Sequence, residues 1–235
     1  MGAGIILTWC LSVSYVLTHL EIHSALDFIK NLGWLAWIQF LCVGLFVTSH
    51  DACHGSVAPN HPRINRWIGR IAAFLYAGFF FDAMITKHSD HHAFAGSEKD
   101  PDFHSNEQNP PRFFSWMLRF FSHYLSIPQL LWMTTVSQIL MHGFQFREPN
   151  VLLFWALPST LSAIQLFYFG TYRPHCGGKN PFQDRHHARN SIQPYLSSLV
   201  SCFHFGAYHH FHHLKPSLPW FRLPQEYRKS QLKQH

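Results

Sequence analysis

The stretch His209-His210-Phe211-His212-His213 decides how this chain is read. It repeats the spacing of His88-x2-His91-His92, and both follow an earlier His50-x3-His54. Eight histidines thus stand in the order HxxxH, HxxHH, HxxHH, each block just beyond an apolar segment. Residues at i, i+3 and i+4 share one face of a helix, so each block aims two or three imidazoles at one place. Imidazole ligates zinc, copper, iron and nickel. A structural zinc closes with four ligands, so eight histidines are too many for one such ion and suit two ions with open positions. The set 209/212/213 reproduces the face of 88/91/92; starting from His210 instead gives only HxxH.

Composition ties these blocks to a membrane. Of 235 residues, 47% are hydrophobic and only 13% charged, against about 25% charged in ordinary soluble domains. Four windows lack Asp, Glu, Lys and Arg: residues 1–20, 31–49, 120–146 and 149–172. Each comes near or exceeds the roughly 20 apolar residues that cross a bilayer. Residues 71–81 lie between Arg70 and Asp82 and are too short. A charge at a helix centre costs about 2.5–3.5 kcal/mol on insertion, so this stretch is expected to be re-entrant or to lie in the interface. Four spans then bring all three blocks to one side, with His50 after the second span and His209 after the fourth. The first window lacks a basic start and a clear small-residue cleavage site, so it reads as a retained span rather than a signal peptide.

The charges orient the assembly. Of 18 basic residues, only Lys30 and Arg147 fall in the loops opposite the histidines. Positive residues favour the cytoplasmic side, so the metal site and both termini are expected there. Topology and anionic lipid head groups account for the basic balance, and no basic patch on a soluble fold points to nucleic acid. The five cysteines, Cys10, Cys42, Cys53, Cys176 and Cys202, form no CxxC. Free thiols facing a reducing compartment are the expectation.

The chemistry narrows by elimination. There is no HExxH, so the glutamate base of a zinc protease is missing. Acids are few near the blocks, which removes the carboxylate-rich ferritin type of site. A histidine-rich metal carrier would need ligands along a path through the membrane, whereas these lie just beyond the spans. Asp51 could orient a histidine from behind, as could Asp100, Asp102 and His104. His186 and His187, adjacent in sequence, splay apart and are expected outside the site. The aromatic run Phe74, Tyr76, Phe79, Phe80 and Phe81 either faces lipid or walls an apolar substrate.

On these residues the chain resembles the membrane di-iron oxygenases and desaturases. Within them it closely resembles the beta-carotene ketolases. The likeness covers most of the chain. Its distinguishing words are His50-Asp51-Ala52-Cys53-His54-Gly55, Lys99-Asp100-Pro101-Asp102-Phe103-His104, residues 167–175, Cys202-Phe203-His204-Phe205-Gly206 and Pro219-Trp220-Phe221-Arg222-Leu223-Pro224. The resemblance implies one membrane-bound, desaturase-like, all-α domain over residues 1–235. That domain would have four transmembrane helices, interfacial or re-entrant helices, and a cytoplasmic histidine-rich di-iron cap. It implies iron ligation by His50, His54, His88, His91, His92, His209, His212 and His213, with His175 as a ninth ligand. Thr171 stands where related desaturases carry an asparagine four residues before that histidine; Asp51 and His204 join it as candidates around the metals. The implied reaction oxidises C4 of a beta-ionone ring, taking beta-carotene through echinenone to canthaxanthin by two hydroxylations and a dehydration at each ring. O2 would be co-substrate, and electrons would come from a ferredoxin or similar donor. Carotenoid hydroxylation and fatty-acyl desaturation or hydroxylation are the neighbouring activities on the same scaffold.

Overall fold

A computed structural model describes residues 1–104, 112–177 and 181–233. Every regular element among them is helical. In chain order these are α1 (Gly2–His19), α2 (Ala25–Lys30), α3 (Leu32–Cys53), α4 (Pro62–Ala77), α5 (Phe81–Phe94), α6 (Phe113–Tyr124) and α7 (Ile127–Gln138). They continue with α8 (Glu148–His175), α9 (Tyr195–Cys202), α10 (His209–Leu214) and α11 (Leu223–Leu232).

α3 is the helix about which the others pack. Its apolar residues run all round it, and Ile38, Val43 and Leu45 are wholly buried. A helix hydrophobic on every face belongs in the middle of a bundle. α1, α4 and α8 surround it. Several polar groups at these contacts pair across the helices. Trp37 Nε1 donates to Ser12 Oγ at 3.0 Å, and Gln39 Nε2 donates to Gln165 Oε1 at 2.7 Å. Asn150 Nδ2 reaches the carbonyls of Val16 and Leu20, tying the start of α8 to the end of α1.

α1, α3 and α8 are each long and apolar enough to cross a bilayer. α4 and α5 together would also pass, but they meet at a bend of 97°. The bend follows from Gly78, which takes the left-handed conformation at φ +67; a Cβ there would meet Trp132 Cδ1 at 2.3 Å. The chain therefore turns where residues 71–81 were expected to re-enter. The exposed side of α4 carries Ile64, Trp67, Ile71 and Phe74, one helical stripe of the kind that faces lipid.

The expected third span, residues 120–146, is not one helix. α6 ends at Tyr124, and α7 starts afresh with Ser126 as its cap, accepting from the Gln129 N–H. Pro128 sits in the first turn of α7, where its missing N–H does no harm. A π-helical turn, Ile139–Gly143, extends α7. The combined piece falls short of the length that the other spans reach, because Leu125 and Ser126 are extended.

The last histidine block follows a break in the helix before it. The apolar run from Tyr195 does not continue as a helix to Tyr208. α9 stops at Cys202, and Phe203 and His204 take left-handed φ values of 45 and 69. Gly206 then passes so close to α8 that a Cβ on it would lie 2.6 Å from the Phe169 carbonyl oxygen. Gly206→Ala is expected to destabilise the fold by about 1–3 kcal/mol through overpacking. A lower melting temperature of the detergent-purified protein checks this; an unchanged melt would mean the turn has room to shift.

Candidate metal centre

Four helices bring nine histidines together. α3 carries His50 in its last turn and is capped by His54. α5 carries His88, His91 and His92, α8 ends at His175, and α10 opens with His209. Their ring nitrogens converge in two sets, each with all its ligand atoms within 4.8 Å of one another. One set is His50, His54, His88, His92 and His212; the other is His91, His175, His209 and His213. These are the nine histidines singled out from the sequence.

The partition explains the two HxxHH blocks. On α5 the i, i+4 pair His88 and His92 joins the first set, and His91 is given to the second. On α10 the i, i+4 pair His209 and His213 joins the second set, and His212 is given to the first. Residues four apart meet over one turn, while the intervening residue is rotated toward the neighbouring set. Each HxxHH block therefore bridges both sets. A π-helical run, Phe167–Tyr172, precedes His175 on α8; such extra-wide turns re-aim the residues that follow and recur at functional sites.

The donor set fits metal ions. His54 Nε2 lies 2.8 Å from His88 Nε2, and His92 Nε2 lies 3.1 Å from it. In the second set His209 Nε2 lies 2.8 Å from His175 Nε2 and 3.1 Å from His213 Nε2. Two nitrogens at right angles around one ion, each at about 2.1 Å, stand about 3 Å apart. His212 is wholly buried, and neither of its ring nitrogens has a protein partner. An unpaired buried polar atom is expensive, and a metal at the convergence point would satisfy one of the two nitrogens. Burial, reinforced by neighbouring imidazoles, holds His209, His212 and His213 well below the ordinary histidine pKa. Their rings are neutral with lone pairs free to ligate.

Supporting contacts fix the rings. His91 Nδ1 donates to Asp100 Oδ1 at 2.9 Å, which leaves Nε2 for the cluster. Asp100 itself accepts from the Gly96 and Asp102 N–H groups. Burial raises the Asp100 carboxyl, but the His91 ring and these N–H groups outweigh it and hold it below the usual range. Burial holds Asp102 above that range; Asp102 lies 3.7 Å from His91 and accepts from the Tyr124 hydroxyl. His175 Nδ1 donates to the His187 carbonyl at 2.7 Å, fixing the same tautomer. A histidine ligand held through its other nitrogen is the common arrangement at metal sites.

The remaining candidates fall at different distances from the centre. Asp51 accepts from the Trp220 N–H at 3.2 Å and bonds no histidine. His204 is wholly buried beside Tyr195 and Trp220, with Nδ1 against Ser198 Oγ at 2.9 Å, outside both sets. Thr171 is buried and lines the cavity described below. His104 packs on Trp116 and Phe103. His186 comes closer than its loop setting implied, with its ring 5.6 Å from that of His213. The His187 carbonyl had no signal in the sequence, because any residue carries one.

His210 turns away from the cluster and pairs with Asp184 at 2.8 Å. The pair is partly exposed, so it contributes about 0–1 kcal/mol. His210→Ala is expected to keep activity within about fivefold of the parent on that magnitude. Loss of all activity, measured alongside His209→Ala, would mean that the register is one residue out.

A cavity of about 420 Å³ opens against both sets. His50, His88, His91 and His209 form part of its lining, and Phe46, Tyr76, Phe79, Phe120, Phe121 and Phe205 supply aromatic walls. Tyr76 and Phe79 of the aromatic run thus face inward, while Phe80 remains exposed. Such a pocket takes a rigid apolar molecule and holds it by shape.

Comparison with known proteins agrees with this geometry. The fatty acid desaturase family profile matches residues 31–152 and 140–235. A beta-carotene ketolase from Paracoccus sp. (strain N81106 / MBIC 01143) is 42% identical over 95% of this chain and 89% of its own length. A second, from Paracoccus sp. (strain PC1), is 41% identical over 96% and 90%. A beta-carotene 4-ketolase from Protosiphon botryoides is 38% identical over 80% of this chain and 49% of its own. No solved structure matches significantly.

Proposed function

The chain belongs to the fatty acid desaturase family, and we infer from its likeness to the ketolases that it is a beta-carotene 4-ketolase. The observation that carries this reading is the two-set histidine cluster opening onto an apolar, aromatic-walled cavity. His50, His54, His88, His92 and His212 would hold one iron, and His91, His175, His209 and His213 the other. The two irons would supply O2 activation, with electrons from an external donor such as a ferredoxin. Two hydroxylations at C4 give a gem-diol, which loses water to a ketone; the same at both rings yields canthaxanthin through echinenone.

The protein's own part is placement and protection. Beta-carotene offers no hydrogen-bond handle, so the aromatic walls must present C4 to the histidine end by shape. The allylic C4–H bonds are the weak ones there. Asp100 and the His187 carbonyl keep His91 and His175 in the ligating tautomer. Four spans over a single domain, with the metal sets and both termini on the cytoplasmic face, complete the proposal. Its support is three apolar helices and the one-sided distribution of Lys and Arg. Membrane lipid surrounds the exposed apolar faces, and the reductant meets the cytoplasmic side.

Pigment chromatography from cells that accumulate beta-carotene tests the activity. Echinenone and canthaxanthin are expected in the presence of this protein. Hydroxylated carotenoids alone would move it to the hydroxylases. Unchanged pigment, with iron bound and a donor present, would point to fatty-acyl substrates.

A further inference from the structure

One polar group in the cavity wall has no partner that a hydrocarbon can provide. Gln129 stands in the first turn of α7, is 2% exposed and lines the cavity. Its side-chain Nε2 makes no hydrogen bond. Its backbone N–H already serves the helix cap at Ser126, so capping does not account for the carboxamide. Phe121, Leu125, Leu130 and Met133 also line the cavity, and the only acceptor among these four side chains is the weak thioether of Met133. The Tyr124 hydroxyl, also in the lining, donates to Asp102 and makes no bond to Gln129 Nε2. Leaving a buried amide unpaired is costly, and beta-carotene cannot relieve it. A ring that carries an oxygen can.

We propose that Gln129 hydrogen-bonds a hydroxyl on the substrate ring, so that the cavity holds an oxygenated ring in preference to an unoxidised one. The proposal rests on the ketolase reading. In that reaction the first hydroxylation places an oxygen at C4, and the second must act before the alcohol leaves. Gln129 retains the half-oxidised ring for that second turnover. A ring hydroxyl can also arrive ready-made at C3 of a hydroxylated carotenoid, and it meets the same amide. Sites built to bond a substrate hydroxyl discriminate strongly against partners that lack it.

The test uses Gln129→Leu and Gln129→Met, both close in volume and unable to hydrogen-bond, in cells fed beta-carotene or a 3-hydroxylated carotenoid. Chromatography gives the ratio of 4-hydroxy to 4-keto rings and the preference for 3-hydroxylated over plain rings. Both quantities are compared at matched amounts of folded protein and matched total conversion, because the share of an intermediate in a sequential oxidation shifts with the amount of enzyme. A rise of about tenfold in the hydroxy-to-keto ratio is expected if Gln129 holds the C4 oxygen. A fall of about tenfold in the preference for 3-hydroxylated rings, with the first ratio unchanged, assigns the bond to C3. If both quantities match the parent, the proposal is overturned. Failure of the ketolase reading shows separately, as the absence of ketone from the unaltered protein.

Discussion

His212→Ala is expected to abolish ketolation and to lower bound iron from two ions per chain to one. His212 is the only member of α10 in the first set, which otherwise draws on α3 and α5. It closes that set from the far side. Both of its ring nitrogens lack protein partners, and ligation would give one of them a partner. Removing a supporting contact behind a ligand typically costs about 10–100-fold, and removing the ligand itself should cost more. His209→Ala should be equally severe yet empty the other set. Metal analysis of the two variants beside their product yields distinguishes the sets. Full activity with both ions retained in His212→Ala would sink the ligand assignment.

Asp100→Ala is expected to reduce activity about 10–100-fold while the chain still folds. Asp100 is 4% exposed and accepts three hydrogen bonds, from His91, Gly96 and Asp102. Without it, His91 Nδ1–H loses its acceptor and the ring can turn or change tautomer. The second set should then bind its ion more weakly, and the first should be little affected. Asp100→Asn keeps an acceptor oxygen for His91 but no charge, so its loss should be smaller. Titrating iron into the stripped variants checks the order parent, Asn, Ala. Equal iron affinity and equal turnover in all three would mean that Asp100 only shapes its loop.

Much of this site was legible because helix spacing translates directly into direction. HxxxH and HxxHH are periodic, and the structure gathers the histidines of all three blocks. The division of each HxxHH block between two sets was less visible, since i, i+3 and i+4 share a broad face and only the way the rings of α5 and α10 meet separates them. His175 was reached through family likeness, as a lone histidine after Pro174 has no spacing to announce it. The left-handed turn at Phe203 and His204 is not legible in the sequence, because no glycine stands at either position; crowding of Gly206 on Phe169 accompanies it. Residues 120–146 read as one apolar window because hydropathy ignores the cap at Ser126. Asp51 looked like a partner for the histidines by proximity in sequence, but it lies on the face that meets Trp220.

The central claim is that two imidazole sets hold two iron ions beneath an apolar cavity. Iron content of the purified protein, read together with Mössbauer spectra of the iron-57-labelled form, tests it most directly. Two irons per chain in two distinguishable environments, matching the five-histidine and four-histidine sets, is the predicted result. One metal ion per chain, or full occupancy by zinc in active protein, would contradict it.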